Sequence, residues 1–478
     1  MKRIAIIGGG IAGLSAAYEL DLRRKQGAEI DYVLYEASPR LGGVLQTERV
    51  EGCLIEAGPD SFLTEKPWAA ELCRELGIGT EIIGSNDAAR KTYILVNNRL
   101  IPMPDGLMFL VPTKILPTVL SPLFSRSTKI RMAREWFYPR HDVTNPTHGE
   151  DETVAALVER HYGKEMVERL ADPLLSGVYG GEANQLSVRA VLPRFVDMEA
   201  KYGSLGRAML ASRRAAAQRN QQQQRPPIFS SLRDGMTRLV DVLAAKLDPV
   251  RLRTDLPIQE IQRREYGWLL NTQAGGSSFD AIVMATPTPA AAALIRHSAP
   301  ALAQELAEIR YSSSVTVGLV YDAKISTDLP DGFGFLVPRS EGKRLLACTF
   351  VHNKFPHRAP ENRCLLRCFL GGSRDEAALG LSPEEIIATT RRELDEILGL
   401  GAEPLAVRVY KWPQSMAQYS VGHLDRLERI RQLLQETPRL TLAGNGYRGI
   451  GVPDCVRTGR EAATQMLSYL GLLAETSP

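Results

Sequence analysis

Cysteine is scarce in this 478-residue chain, six residues with no C-x-x-C pair, so neither a disulfide framework nor a cysteine-built metal site is expected. Cys53, Cys73, Cys348, Cys364, Cys368 and Cys455 read as free thiols of a cytoplasmic protein. The seven histidines keep no metal-ligand spacing, and no metal is expected. Charge of one sign is missing too: 58 basic against 55 acidic residues leave +3, which gives no reason to invoke nucleic acid. No apolar run reaches the roughly 18 residues a membrane span needs, and no signal peptide is visible. What remains, 44% hydrophobic and 24% charged, is an ordinary globular composition, long enough for two or three domains.

Glycine, in contrast, is placed with purpose. An apolar strand, Ile4–Ile7, runs into Gly8-Gly9-Gly10-Ile11-Ala12-Gly13; a helix is predicted over Ile11–Gln26, and a second strand, Tyr32–Tyr35, ends at Glu36. Strand, G-x-G-x-x-G, helix, strand and acidic residue form the dinucleotide-binding fingerprint. Gly8 permits a tight turn, Gly10 admits a pyrophosphate, and Gly13 lets the helix pack on the strand. The helix N-terminus faces the anion, and Glu36 accepts from a ribose. Arg40-x-Gly42-Gly43 follows, a glycine pair that lets the chain fold around a longer, two-nucleotide cofactor. Near the other end, a strand over Leu440–Ala443, the stretch Gly444–Gly451 and a helix from Cys455 present the positive end of a helix dipole. That end suits the edge of a flavin ring that gains negative charge on reduction; the alternative is a flexible surface loop.

Residues 1–88, 205–289 and 412–478 read as one discontinuous, Rossmann-like α/β FAD-binding domain. Residues 89–204 read as a mainly helical insertion. It holds an apolar stretch with five prolines (Pro102, Pro104, Pro112, Pro117, Pro122), then Lys129, Arg131 and Arg134 interleaved with Ile130, Ala133, Trp136 and Phe137 as a basic amphipathic helix. A further helix begins near Asp151. Residues 211–227, with an alanine run and four glutamines, read as a mobile loop. Residues 290–411 read as an α+β substrate-binding domain, with strands at 315–321, 344–350 and 364–370 and a helix at 383–398.

Taken together, the first glycine cluster, Glu36-Ala37-x-x-Arg40-x-Gly42-Gly43, Gly58-Pro59-Asp60-Ser61 and Gly449-x-Gly451-x-Pro453-Asp454 resemble the flavin amine oxidase superfamily. Within it, the stretches 93–97, 112–115, 168–181 and 412–423 resemble the oxygen-dependent protoporphyrinogen and coproporphyrinogen III oxidases of haem synthesis, above all the Gram-positive, coproporphyrin-forming type. The resemblance implies non-covalent FAD contacting Gly8 to Gly13, Glu36, Ala37, Arg40, Gly43, Val44, Gly58, Pro59, Asp60, Ser61, Ile258, Trp412, Gly451, Val452, Pro453 and Asp454. Ile258 is placed in a strand over Leu256–Ile261. The resemblance further implies six-electron oxidation of coproporphyrinogen III to coproporphyrin III, with O2 as acceptor and H2O2 as product. Protoporphyrinogen IX, or the substrate of another amine oxidase or desaturase, is the alternative. Ser176 and Gly177 are the candidates for positioning the macrocycle, and Lys91, Arg99 and Arg367 for its propionates. A ferrochelatase is the candidate recipient of the product. Residues 99–137 either rest on an anionic membrane or wall the substrate pocket.

Overall fold

A computed structural model describes residues 1–108, 110–139, 151–219 and 226–472. Its first layer follows from the all-apolar Ile4-Ala5-Ile6-Ile7, buried on both faces as a central parallel strand must be. β1 (Lys2–Ile7) lies between β2 (Ile30–Tyr35) and Ala281–Met284. Leu252–Arg253 and Leu440–Leu442 form the edges of this five-stranded sheet. α1 (Ile11–Lys25) and the C-terminal helix Val452–Tyr469 cover one face. The other packs on Trp268, Phe279 and the helices Thr288–Ile295 and Pro300–Ala307.

The second layer is a seven-stranded sheet, in the order Ala406–Ala417, Tyr311–Asp322, Arg363–Gly371, Ala347–Phe350, Gly334–Leu336, Thr92–Val96 and Arg99–Pro102. Helix Pro383–Leu398, closed by a Ser382/Glu385 capping box, packs Ile386 and Leu394 against it. Two expected boundaries shift here. The hairpin Thr92–Pro102 pairs with this sheet rather than joining the helical insertion, and strand Ala406–Ala417 runs straight through the expected break at 411/412.

The helical region contains α2 (Arg126–Glu135), α3 (Val154–Tyr162), α4 (Asp172–Tyr179), α5 (Pro193–Tyr202) and α6 (Leu205–Arg219). α6 packs beside α5, so residues from 205 belong with the helices rather than with the dinucleotide domain. It also replaces most of the expected mobile loop. Alanine and arginine are strong helix formers, and buried Leu205 and Ala208 anchor the helix that continues through Ala215–Ala217. Residues 220–225 of the expected loop lie outside the described residues.

A buried ionic knot ties these helices together. Glu135 of α2 accepts hydrogen bonds from the Ser204 hydroxyl (3.0 Å) and the Leu205 amide (2.5 Å) at the start of α6. His161 of α3 places Nδ1 3.2 Å from Glu135 and Nε2 2.9 Å from Glu199 of α5. Arg160 adds a second cation 2.9 Å from Glu199. Both imidazole nitrogens face carboxylate oxygens, so both donate and the ring is an imidazolium. Burial alone would lower its pKa; the bonds to Glu135 and Glu199 outweigh that and hold it above the ordinary value. Burial opposes ionisation of Glu199 as well, yet His161 and Arg160 bring its carboxyl down to about 2. A raised histidine pKa stabilises the fold below about 6.5, and this contribution disappears as pH rises through the folded value. A lowered glutamate pKa acts above about 4.5, its contribution fading as pH falls towards 2. Thermal melts from pH 5 to 9 are therefore predicted to show a loss of Tm on the alkaline side that His161→Gln abolishes. At pH 6 that variant is expected to be destabilised by roughly 3 kcal/mol, as expected for breaking a buried ion pair.

Candidate functional site

Close packing between glycines builds the first half of the site. A Cβ on Gly13 would overlap the Gly8 carbonyl oxygen, and one on Gly8 would lie 2.6 Å from the Ala285 oxygen. Gly42 donates its N–H to Gly9 O (2.8 Å), and a Cβ on Gly43 would come within 3.3 Å of Gly10 Cα, so the Arg40-x-Gly42-Gly43 turn lies directly on the glycine loop. The guanidinium of Arg40 donates to the carbonyls of Leu41, Gly43 and Leu45, which makes it the brace of that turn. Gly459 of the C-terminal helix meets the Ala12 carbonyl of α1, where only hydrogen fits. The first turn of α1 thus packs directly on the C-terminal helix, at a point further along the latter.

Within this cradle there is room. A Cβ on Gly10 would find nothing within 4 Å, nor would one on Gly444. No side chain caps α1 and no acidic residue stands in its first turn, so its leading N–H groups remain available to an anion. Beside Gly8, at the carboxyl end of Ala281–Met284, the buried Thr286 hydroxyl has no partner within the protein. Open space at Gly10, uncapped amides and an unpartnered hydroxyl together fit a pyrophosphate. Glu36 accepts from Gly9 N (2.6 Å) with one carboxylate oxygen and from Ser38 with the other, and its remaining lone pairs are those a ribose could use. Ile258 is half-buried in the extended run before strand Glu260–Arg264, not in a strand. That run is tied to the same corner by Leu256 N on Glu36 O (3.0 Å) and Asp255 N on Ser38 O (2.9 Å).

At the other pole, three segments converge on strand Ala406–Ala417. Trp412 Nε1 donates to Ala57 O (2.8 Å), fixing the Gly58-Pro59-Asp60-Ser61 turn, whose Gly58 sits against the carbonyl of Val44. Gln418 Nε2 donates to Tyr179 O (2.7 Å), anchoring the end of α4. Asn445 Nδ2 donates to Ser415 O (2.9 Å), while Asn445 accepts from the hydroxyls of Tyr311 (3.1 Å) and Tyr419 (2.7 Å). The loop Gly444–Gly451 is therefore clamped through Asn445 by Ser415, Tyr311 and Tyr419, and its reading as a flexible surface loop falls away. Gly451 caps the C-terminal helix, and buried Val452 and Pro453 begin its first turn. Buried Asp454 accepts from Gly451 N (3.2 Å) and from Lys66 Nζ (2.7 Å), so it orders the helix start.

Two candidates for the substrate change role. Ser176 is buried; its hydroxyl donates to Gly181 O (3.3 Å) and its carbonyl accepts from Gly180 N (3.0 Å), so it terminates α4. Gly177 and Val178 are the exposed pair there, and a Cβ on Gly177 would touch only Leu336, at 3.8 Å. Arg367 is only 5% exposed: it donates to Gly58 O and lies 3.8 Å from Asp60, so it is a buried structural cation and not a free propionate partner. Lys91 and Arg99 are exposed, but the sheet does not bring them to Arg367. Lys91 precedes Thr92, three strands across from Arg367 and therefore about 14 Å away. Arg99 stands at the far end of the hairpin, opposite Val96.

The residues missed by sequence reasoning are buried charges. Lys354 Nζ lies 2.9 Å from Asp60, and Arg358, 1% exposed, pairs with Glu56. They sit in a stretch, His352–Arg358, that reads locally as a solvated turn and finds its partners some 300 positions away.

Residues 11–467 match the model of the flavin-containing amine oxidoreductase family. The chain is 33% identical over 472 residues to a coproporphyrinogen III oxidase of Bacillus subtilis, with 98% of each chain covered. It is 30% identical over 479 residues to one of Staphylococcus aureus, covering 98% of this chain and all of the relative. A crystal structure from Exiguobacterium sp. 255-15, described as a candidate protoporphyrinogen oxidase, superposes with a TM-score of 0.86 at 30% identity and covers 98% of this chain and 99% of its own.

The glycines make separable predictions. Gly10→Val, with φ near −68° and empty space around it, should leave the melting temperature of the cofactor-free protein unchanged. Its FAD affinity, measured by fluorescence quenching, should fall at least tenfold. Gly13→Val should instead lower the cofactor-free Tm, because the added carbons overlap Gly8.

Proposed function

The chain belongs to the flavin-containing amine oxidoreductase family, and on that premise we propose that it oxidises coproporphyrinogen III to coproporphyrin III. When bound, FAD would supply the electron acceptor for three two-electron steps: three hydrides leave methylene bridges, two protons leave pyrrole nitrogens and one leaves the fourth bridge by tautomerisation, and three O2 become three H2O2. The observation that supports the reading is exposed Gly177 beside apolar Leu336, at a helix end whose Tyr179 carbonyl accepts from Gln418, the residue after the strand that holds Trp412. It occurs in a chain matched end to end by relatives named coproporphyrinogen III oxidase.

The protein's part is to bind, orient and exclude water. Exposed Gly177 leaves the approach to a flat macrocycle unobstructed, while Gln418 and Ser312 hold the end of α4 to the sheet. No strong base is required for a pyrrole N–H proton to pass to solvent as a hydride leaves the adjoining bridge. Cys455, beside the helix start, has its thiol pushed up to about 12 by burial, which supports non-covalent FAD. All six cysteines are buried, so peroxide released at the site meets no exposed thiol.

No helix among the described residues is long and apolar enough to cross a membrane. Leu116, Val119 and Leu120 on helix Ile115–Leu120, Ile130 on α2 and Phe137 beyond it are nevertheless exposed, with Lys114, Arg126 and Arg131 alongside. Peripheral binding of this face to anionic lipid is part of the proposal.

Anaerobic addition of coproporphyrinogen III should bleach the bound flavin, and kcat/KM should exceed that for protoporphyrinogen IX. Reduction by an amine or a polyene in its place would sink the assignment. The protein should co-sediment with anionic liposomes at low salt, and Leu120→Glu with Ile130→Glu should return it to the supernatant; full recovery of the unmodified protein there rejects the lipid face.

A further inference from the structure

Behind the turn Gly58–Ser61 lies a closed set of charges. Arg358 pairs with Glu56 and donates to the Ser231 hydroxyl (2.6 Å). Lys354 lies 2.9 Å from Asp60 and Arg367 3.8 Å from it. Lys354 is held over the rings of Phe229 and Phe355, and Arg367 over Phe369. Three cations thus face two carboxylates, one positive charge in excess, in a place where water is nearly absent. A cavity of about 10 Å3 between Glu56, Asp60, Arg358 and Arg367 has room for one water, and the Nε atoms of both arginines point to no partner. Asp60 cannot relieve the excess by staying ionised alone. Burial opposes its charge, and Lys354 and Arg367, with a hydrogen bond from Ser61, hold its carboxyl well below the ordinary range.

A buried unit of charge left uncompensated is costly unless something else balances it. The cluster touches the turn Gly58–Ser61, which the flavin reading puts against the cofactor, because Arg367 donates to the Gly58 carbonyl and Lys354 to the Ser61 hydroxyl (3.3 Å). We propose that Lys354, Arg358 and Arg367 form a buried cationic bed, positioning residues that act through Gly58–Ser61, which stabilises the negative charge a bound flavin gains on accepting a hydride. The inference rests on the flavin reading above and names what raises the flavin's readiness to take electrons. The step balances: the hydride brings two electrons and one proton to the cofactor, a separate proton leaves the substrate for solvent, and O2 later takes the hydride equivalent with one proton from solvent as H2O2.

A unit charge acting through an effective dielectric of about 20 over roughly 10 Å changes an equilibrium by on the order of tenfold. For a two-electron couple that is about 30 mV. The test uses the FAD-loaded protein, with flavin content read first from its absorbance. The midpoint potential and the affinity for sulfite, which forms a negatively charged adduct with oxidised flavin, are then measured in Lys354→Met, Arg367→Met and Asp60→Asn. Both cation-removing variants should lower the potential by about 30 mV and weaken sulfite binding about tenfold. Asp60→Asn should move both quantities the opposite way, a sign that damage to the fold would not reproduce. Potentials that stay put, or that move the same way in all three variants, overturn the inference while leaving the flavin reading intact. Wild-type protein that takes up no FAD overturns the reading itself.

Discussion

The arrangement depends on backbone meeting backbone where no side chain intervenes. Gly13 on Gly8, Gly43 on Gly10 and Gly459 on Ala12 hold the first turn of α1, one glycine turn and the C-terminal helix against one another. The uncapped first turn of α1 carries partial positive charge and amides free to meet an anion. The empty volume at Gly10 and Gly444 is the consequence, since the same close approach that excludes side chains leaves a slot for a diphosphate. The sheet below supplies rigidity because β1 buries every residue from Ile4 to Ile7.

From that slot, order propagates by hydrogen bonds rather than by a single core. Trp412, Gln418 and Asn445 each tie a separate segment to one strand, so the turn at Gly58, the end of α4 and the C-terminal loop keep fixed relative positions. The helical region is tightened separately through His161, Glu135 and Glu199. This division lets the dinucleotide end stay constant while the surface around Gly177 and the exposed helices is shaped for a particular substrate.

Much of the dinucleotide half was legible because its signals are local. Glycine spacing, the strand that follows and Glu36 lie within 36 residues, and the structure keeps them in the expected elements. Helix 383–398 was equally plain from its apolar spacing and capping residues. The hairpin Thr92–Pro102 was misassigned because short apolar runs do not reveal which sheet they join, and that depends on Gly334–Leu336, some 240 positions later. Helix α6 was hidden by low complexity, which alanine-rich helices share with loops. Ser176 and Arg367 show the remaining limit: a polar residue in a narrow motif reads as a site residue, whereas burial and a partner decide whether it faces ligand or protein.

The central claim is that the N-terminus of α1 and the bare glycines receive the diphosphate of the cofactor. Titration calorimetry of the cofactor-free protein with FAD, in competition with ADP and with riboflavin, tests it directly. ADP, which carries the diphosphate, should compete with FAD, and riboflavin, which lacks it, should not at the same concentration. Competition by riboflavin with none by ADP would contradict the account.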